Sequence, residues 1–147
     1  MVHSVTTIAN KFIDLAKDEY LTNMQLQKMV YIAHGFNLAL RGIKLYYEDT
    51  RAWDFGPVVP ELYEELRKYG SNNVKDKIAT SSDEDLDDDS LEIVKAVYDH
   101  YKEYSGMQLS DLTHQDNTPW SKSWKSNKYG VIPADDICKF YKNNYGE

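Results

Sequence analysis

The sequence predicts a mainly α fold: a compact single domain over residues 1–147, with about six helices and a small β-hairpin. Three observations predict it. Apolar residues recur at helical spacing of three and four along most of the chain. Two Ser/Thr-x-x-Gln patterns, Thr22 to Gln25 and Ser105 to Gln108, mark helix starts. One stretch, Lys44 to Phe55, loses the helical period, and it is rich in aromatic residues.

The elements follow in order. Ile8, Phe12, Leu15 and Ala16 make one apolar stripe, so a first helix is expected from about Thr7 to Glu19. The second helix starts at the Thr22 capping box. Leu26, Met29, Val30, Ala33, Phe36 or Asn37, and Leu40 trace one face, and Gly42 supplies a left-handed stop. Leu45 to Tyr47, and Ala52, Trp53 and Phe55, suit two short extended pieces joined around Glu48-Asp49-Thr50, an expected hairpin. Gly56 to Pro60 reads as a chain reversal. Pro60 fits the first position of a third helix, where its missing N–H costs nothing. Leu62, Leu66 and Tyr69 form the buried stripe of that helix, and Gly70 ends it.

Residues Ser71 to Asp89 are polar and read as a loop. Ser90 is the expected cap of a fourth helix with Leu91, Val94, Val97, Tyr101 and Tyr104 inward. A fifth helix starts at Ser105, a short sixth at Thr118-Pro119, and a last one at Ile132-Pro133.

The net charge of −7 is unevenly spread: six of the seven residues from Asp83 to Asp89 are acidic, and the rest is close to neutral. No part has the clustered Lys and Arg of a phosphate-binding surface, so direct nucleic-acid binding is not expected. No apolar run approaches the roughly 20 residues needed to cross a bilayer, so no membrane association is expected. Residues 1–7 lack a basic segment followed by an apolar one, and Cys138 is the single cysteine. Both favour a reducing cytoplasm. Twelve tyrosines and three tryptophans suit either half-buried core edges or a protein interface.

Chemistry-bearing patterns are sparse. His3, His34, His100 and His114 are scattered, with no Cys-x-x-Cys and no His-Glu-x-x-His, so no metal site is expected. No phosphate-cradling glycine loop, dinucleotide fingerprint or Gly-x-Ser-x-Gly elbow occurs, so neither a cofactor nor a catalytic residue is assigned. Cys138, beside Ile137, reads as a packed thiol. His34, at the edge of the second helix's stripe, reads as a hydrogen-bonded structural histidine. His114, flanked by Thr113, Gln115 and Asp116, reads as fixing a loop.

Three stretches carry a resemblance: Leu26 to Gly35 (LQKMVYIAHG), Ala52 to Tyr63 (AWDFGPVVPELY), and Leu109 to His114 (LSDLTH) with Pro119-Trp120. Their order and spacing resemble the Panacea domain, also described as the SocA-like or GepA-like phage-associated domain. The Gly-Pro-Val-Val-Pro segment after an aromatic pair is the most specific part. The resemblance runs from about Ile8 to the last helix. It implies an antitoxin that neutralises a cognate toxin by direct binding, without catalysis. Members of the family meet toxins of very different kinds; one branch is an adaptor that delivers its toxin to a bacterial protease, and some members add a DNA-binding domain. With its first helix starting within about ten residues of Met1, this chain reads as the bare domain. The family-motif positions are His34, Trp53, Gly56, Pro60, Thr113, His114, Pro119 and Trp120.

Candidate partner-binding residues come from three places. Gln27, Lys28 and Tyr31 fall off the main stripe of the second helix, as its solvated face or as a binding surface. Trp53 reads as a core plug, whereas Asp54 and Phe55, on a turn stiffened by Pro57, are interface candidates. The acidic run, with Asp83, Asp85, Asp87 and Asp88, is either a solvated loop or a phosphate mimic for a basic toxin groove. The rival functional readings are a protease adaptor and a hydrolase acting through His114 and a nearby carboxylate.

Overall fold

The computed structural model describes residues 2–79 and 85–145. In chain order it contains α1 (Val5–Ala16), β1 (Leu21–Thr22), α2 (Asn23–Arg41), β2 (Arg51–Trp53), β3 (Gly56–Val58), α3 (Pro60–Leu66), β4 (Asn73–Val74), α4 (Asp88–Tyr101), α5 (Gly106–Thr113), α6 (Pro119–Ser126) and α7 (Ala134–Tyr145). The fold is mainly α, with short 3-10 turns after α1 and α3.

The centre is α2. Both halves of its capping box form: the Thr22 hydroxyl accepts from Gln25 N (3.2 Å), and the Gln25 side chain accepts from Thr22 N (2.8 Å). Gly42 ends it at φ 71°, in the left-handed region that favours glycine. Helices α1, α3, α4, α5 and α7 all pack on it. Its periodicity predicts one buried face, but every residue from Leu26 to Gly35 is buried. Gln27, Lys28 and Tyr31 are therefore corrected: they do not form a solvated face, because elements arriving from elsewhere in the chain cover that side.

Other elements depart from expectation for local reasons. Helix α1 starts at Val5, because Ser4 caps it by accepting from Thr7 N (3.3 Å). The hairpin is shifted along the chain. Its strands pair Arg51 with Val58, Ala52 with Pro57 and Trp53 with Gly56, so Gly56 to Val58 is a strand, not a reversal. The turn is Asp54-Phe55, and Gly56 makes it possible at φ 114°. Leu45 and Tyr47 instead bond the chain start, with His3 N donating to Leu45 O and Tyr47 N to His3 O. Within the polar segment 71–89, Asn73–Val74 pairs with Leu21–Thr22. In α4 the buried apolar residues are Ile93, Val94, Val97, Tyr98 and Tyr101, whereas Tyr104 is exposed.

Asp87, not Ser90, caps α4. Its carboxylate accepts from Ser90 N (3.3 Å), His3 Nε2 (2.8 Å) and Arg41 Nη2 (3.2 Å), while Ser90 Oγ accepts from Arg41 Nη1 (3.0 Å). Partial burial opposes ionisation of Asp87. The hydrogen bonds from His3 and Ser90, with the Arg41 charge, outweigh it and hold the carboxyl well below the usual carboxylate range. A carboxyl depressed in the folded state stabilises fully above its unfolded value, near pH 4, and loses that contribution as pH falls further. Asp87→Asn should therefore cost about 1–2 kcal/mol at pH 7. The difference from wild type should shrink below about pH 4. Urea unfolding at pH 7 and pH 3 checks this, and an equal loss at both would contradict it.

Candidate functional site

The site is built on the β2–β3 hairpin. Four side chains from three other elements hold its backbone. Lys28 Nζ donates to Pro57 O (2.9 Å), and Gln27 Oε1 accepts from Val59 N (3.0 Å), both from α2. From α5, Ser110 Oγ donates to Phe55 O. From α6, Trp120 Nε1 donates to Trp53 O (2.7 Å). The three separated stretches of sequence that carry the family resemblance thus meet at one hairpin.

Gly56 is the point of closest approach. A Cβ there would lie 3.1 Å from Thr113 Oγ1 and 3.2 Å from Lys28 Cε, in addition to the positive φ. Beside the hairpin runs an aromatic chain that ends at the groove. His114 meets Trp120 edge-on (5.2 Å), Trp120 stacks on Trp124 (5.2 Å), and Trp124 meets Tyr129 edge-on (5.5 Å). His114 closes the end of α5, with Nδ1 donating to Ser110 O, so its position belongs to this buttress. Pro60 and Pro119 are the first residues of α3 and α6.

In front of the hairpin lies a groove of about 640 Å³. The first turns of α2 contribute Met24, Gln27 and Lys28, and the hairpin contributes Trp53, Asp54, Phe55 and Val58. Tyr63 and Arg67 close one side, Gly106 and Met107 from α5 the other, and Tyr129 adds to the rim. Three large rim side chains are exposed: Phe55 (58%), Met107 (55%) and Tyr129 (52%). Trp53 is half-buried, edge-on to Tyr63 at 5.2 Å, and lines the groove. It is not the expected core plug, because Ala52 takes the inward position of β2 and the next residue of a strand points to the opposite face. Asp54 is exposed and accepts a hydrogen bond from Tyr129 OH.

Lys28 is the unusual group. It is 1% exposed, and burial alone pulls its ammonium down to about 7. Among the described residues Pro57 O is its hydrogen-bond acceptor, and no carboxylate lies within ion-pair distance. An ionisable group shifted by burial in the wall of a cleft is a functional-site candidate. Tyr31 lies deeper: burial, with the neighbouring Tyr46, pushes its phenol far up, and its ring packs edge-on to Tyr141 at 6.2 Å. His34 Nδ1 accepts from Leu45 N (3.2 Å), and the ring stacks on Tyr46 at 3.9 Å. Burial, then the charge of Lys44, lowers His34 to about 3, so it is neutral.

The structure does not bring Asp85, Asp87 or Asp88 to this groove. Asp87 is tied to Arg41, at the C-terminal end of α2, whereas the groove sits at the N-terminal end. From Lys28, the last groove residue of α2, to Arg41 the helix runs about 20 Å. Asp85 and Asp88 are exposed, Asp87 is engaged in the α4 cap rather than presented to solvent, and Asp83 lies outside the described residues. Met107, Tyr63, Arg67 and Tyr129 are groove residues that sequence reasoning did not single out. Met107 carried the one available signal, an apolar side chain off the Leu109–Leu112 stripe of α5.

Among the described residues no cluster of three or more His, Cys, Asp or Glu is placed to hold a metal. No described helix is long and apolar enough to cross a membrane. No solved structure matches the chain. The chain is similar to "Antitoxin SocA" of Caulobacter vibrioides (strain NA1000 / CB15N), 31% identical over 127 residues, covering 77% of this chain. The chain thereby spans 66% of that relative, just under two thirds of its length. Residues 26–121 match the family described as "Antitoxin SocA-like, Panacea domain", a span that holds α2, the hairpin, α5 and the start of α6. The chain belongs to the SocA-like Panacea family.

Proposed function

We propose that this protein is an antitoxin that binds a cognate toxin through the groove and its aromatic rim, masking it stoichiometrically and without covalent chemistry. The observation that carries this reading is the Phe55 side chain, exposed on a turn whose backbone is fixed by hydrogen bonds from three helices. A large apolar side chain on a pre-ordered backbone loses little freedom on binding, and such residues dominate interface energies. Met107 and Tyr129 extend the apolar rim around it. Family membership supplies the kind of partner, a toxin.

The test is to express the gene adjacent to this one alone and together with it. Growth arrest relieved by co-expression, with the two products co-purifying in fixed ratio, is the expected result. The double variant Phe55→Ala/Met107→Ala should weaken the complex roughly 30-fold or more while leaving the helical circular dichroism intact. A harmless neighbour, or a complex indifferent to the double variant, would sink the reading.

A further inference from the structure

The groove is apolar, yet its ionisable side chains are unbalanced. Asp54 is its acidic residue, and Tyr129 OH already occupies that carboxylate. Lys28 and Arg67 are its basic ones. Arg67 lies 3.8 Å from Glu64, with both side chains exposed, a pair of small worth. Among the described residues Lys28 has no such partner. Its ammonium carries three N–H donors, and Pro57 O takes one. The local excess is positive in a chain whose net charge is −7. A buried cation without an anion is costly, and an anion arriving with a ligand recovers that cost.

We infer that the toxin segment seated in this groove carries a carboxylate, flanked by apolar side chains, that ion-pairs with Lys28 Nζ. The inference rests on the groove being the toxin-binding face. A neutral carbonyl would satisfy another N–H, but only a carboxylate also compensates the charge, in a bond about twice as strong as a neutral one. The approach is narrow, because Lys28 is 1% exposed with Gly56 and Pro57 against it, so a bare chain terminus or a single Asp or Glu fits the need and a cluster does not.

The pairing makes affinity depend on pH. The amine sits near 7 when the groove is empty. A bound carboxylate raises it, so binding takes up a proton above neutrality and affinity falls as pH rises. Beside the Lys28 amine lie the Pro57 carbonyl and Gly56, and the Thr113 hydroxyl approaches Gly56 from α5; none is ionisable in that range. The other titratable groove side chains are Asp54, Tyr63, Arg67 and Tyr129, with no histidine among them.

The test selects displayed random twelve-residue peptides on the full chain. One library has free C-termini, and the other is fused at its C-terminus so that only side-chain carboxylates are available. Wild type should enrich peptides with Asp, Glu or a free terminus beside Leu, Ile, Phe or Met, and the better library identifies the source. Lys28→Met should lose the acidic preference and keep the apolar one. The best synthetic peptide should bind wild type at least about tenfold more weakly at pH 9 than at pH 6, while its amide counterpart should not change. No peptide enrichment, no acidic preference, or an acidic preference undiminished in Lys28→Met and flat with pH would overturn the inference. Peptide capture that survives Phe55→Ala/Met107→Ala would instead remove the groove reading itself.

Discussion

Gly35→Ala lowers the stability of this protein by about 2–3 kcal/mol, although alanine is the better helix former. Gly35 lies in the interior of α2, where α7 crosses it. A Cβ there would overlap the Tyr141 ring, 2.9 Å from Cγ and closer still to Cδ2 and Cε2. The helix-propensity gain of about 1 kcal/mol cannot offset that overlap unless the ring moves. It is not free to move. It stacks on Tyr145 at 5.5 Å and packs edge-on to Phe36 at 5.0 Å and Phe140 at 5.2 Å. Tyr141 is 4% exposed, and the cavity it lines, about 10 Å³, is too small to receive the ring. A domain of this size should lose roughly 5–10 °C in melting temperature. A melting temperature within about 2 °C of wild type would show that α2 and α7 part easily and that the close approach is incidental.

Lys28→Met stabilises the free protein at pH 7 by about 1–3 kcal/mol, and the gain disappears near pH 10. An ordinary lysine titrates near 10.5, whereas Lys28 in the fold titrates near 7. The gap corresponds to about 5 kcal/mol of burial cost when the amine is charged in both states, of which about 4 kcal/mol remains at pH 7. The sign follows from proton counting. Between pH 7 and about 10 the unfolded chain holds a proton that the folded chain has released, so stability rises with pH across that window. Methionine keeps the apolar stem and removes the cost, but leaves Pro57 O without its donor, which returns about 1–3 kcal/mol. Above pH 10 a separate loss begins in both proteins. Burial pushes Tyr31, Tyr46 and Tyr141 above the ordinary phenol value, so the unfolded chain ionises first. Urea denaturation of both proteins at pH 7, 8.5 and 10 measures the crossover. Wild-type stability that is flat from pH 7 to 10, with Lys28→Met less stable throughout, would show that the lysine is hydrated or paired.

Much of the architecture was legible because it is local. The Thr22 and Ser105 capping boxes, Gly42 after α2, and Pro60 and Pro119 at helix starts each involve residues a few positions apart, and each forms where the pattern places it. Such signals depend on hydrogen bonds within one turn, so they are written in adjacent letters. The α4 cap shows the limit. Ser90 and Asp87 are both acceptable caps by residue type, and the arrival of His3 and Arg41 from distant segments selects Asp87. The hairpin register was similarly undecided. Pairing of Leu45 and Tyr47 with His3 removes the first half of the expected hairpin, and Thr50, Ala52 and residues 129–132 bond along the other edge of β2.

The helical class, the helix starts and the family motifs are properties of short stretches, and the chain carries them wherever it is read. Burial of Gln27, Lys28 and Tyr31, and the groove that gives Lys28 its shifted amine, are not such properties. Periodicity reports one apolar face of a helix, because an isolated helix has only one neighbour to satisfy. Here α2 is enclosed on its remaining sides by the hairpin, α5 and α7, elements up to a hundred residues away in sequence. Whether a polar side chain then ends in water, in a backbone hydrogen bond or in the wall of a cleft depends on those arrivals.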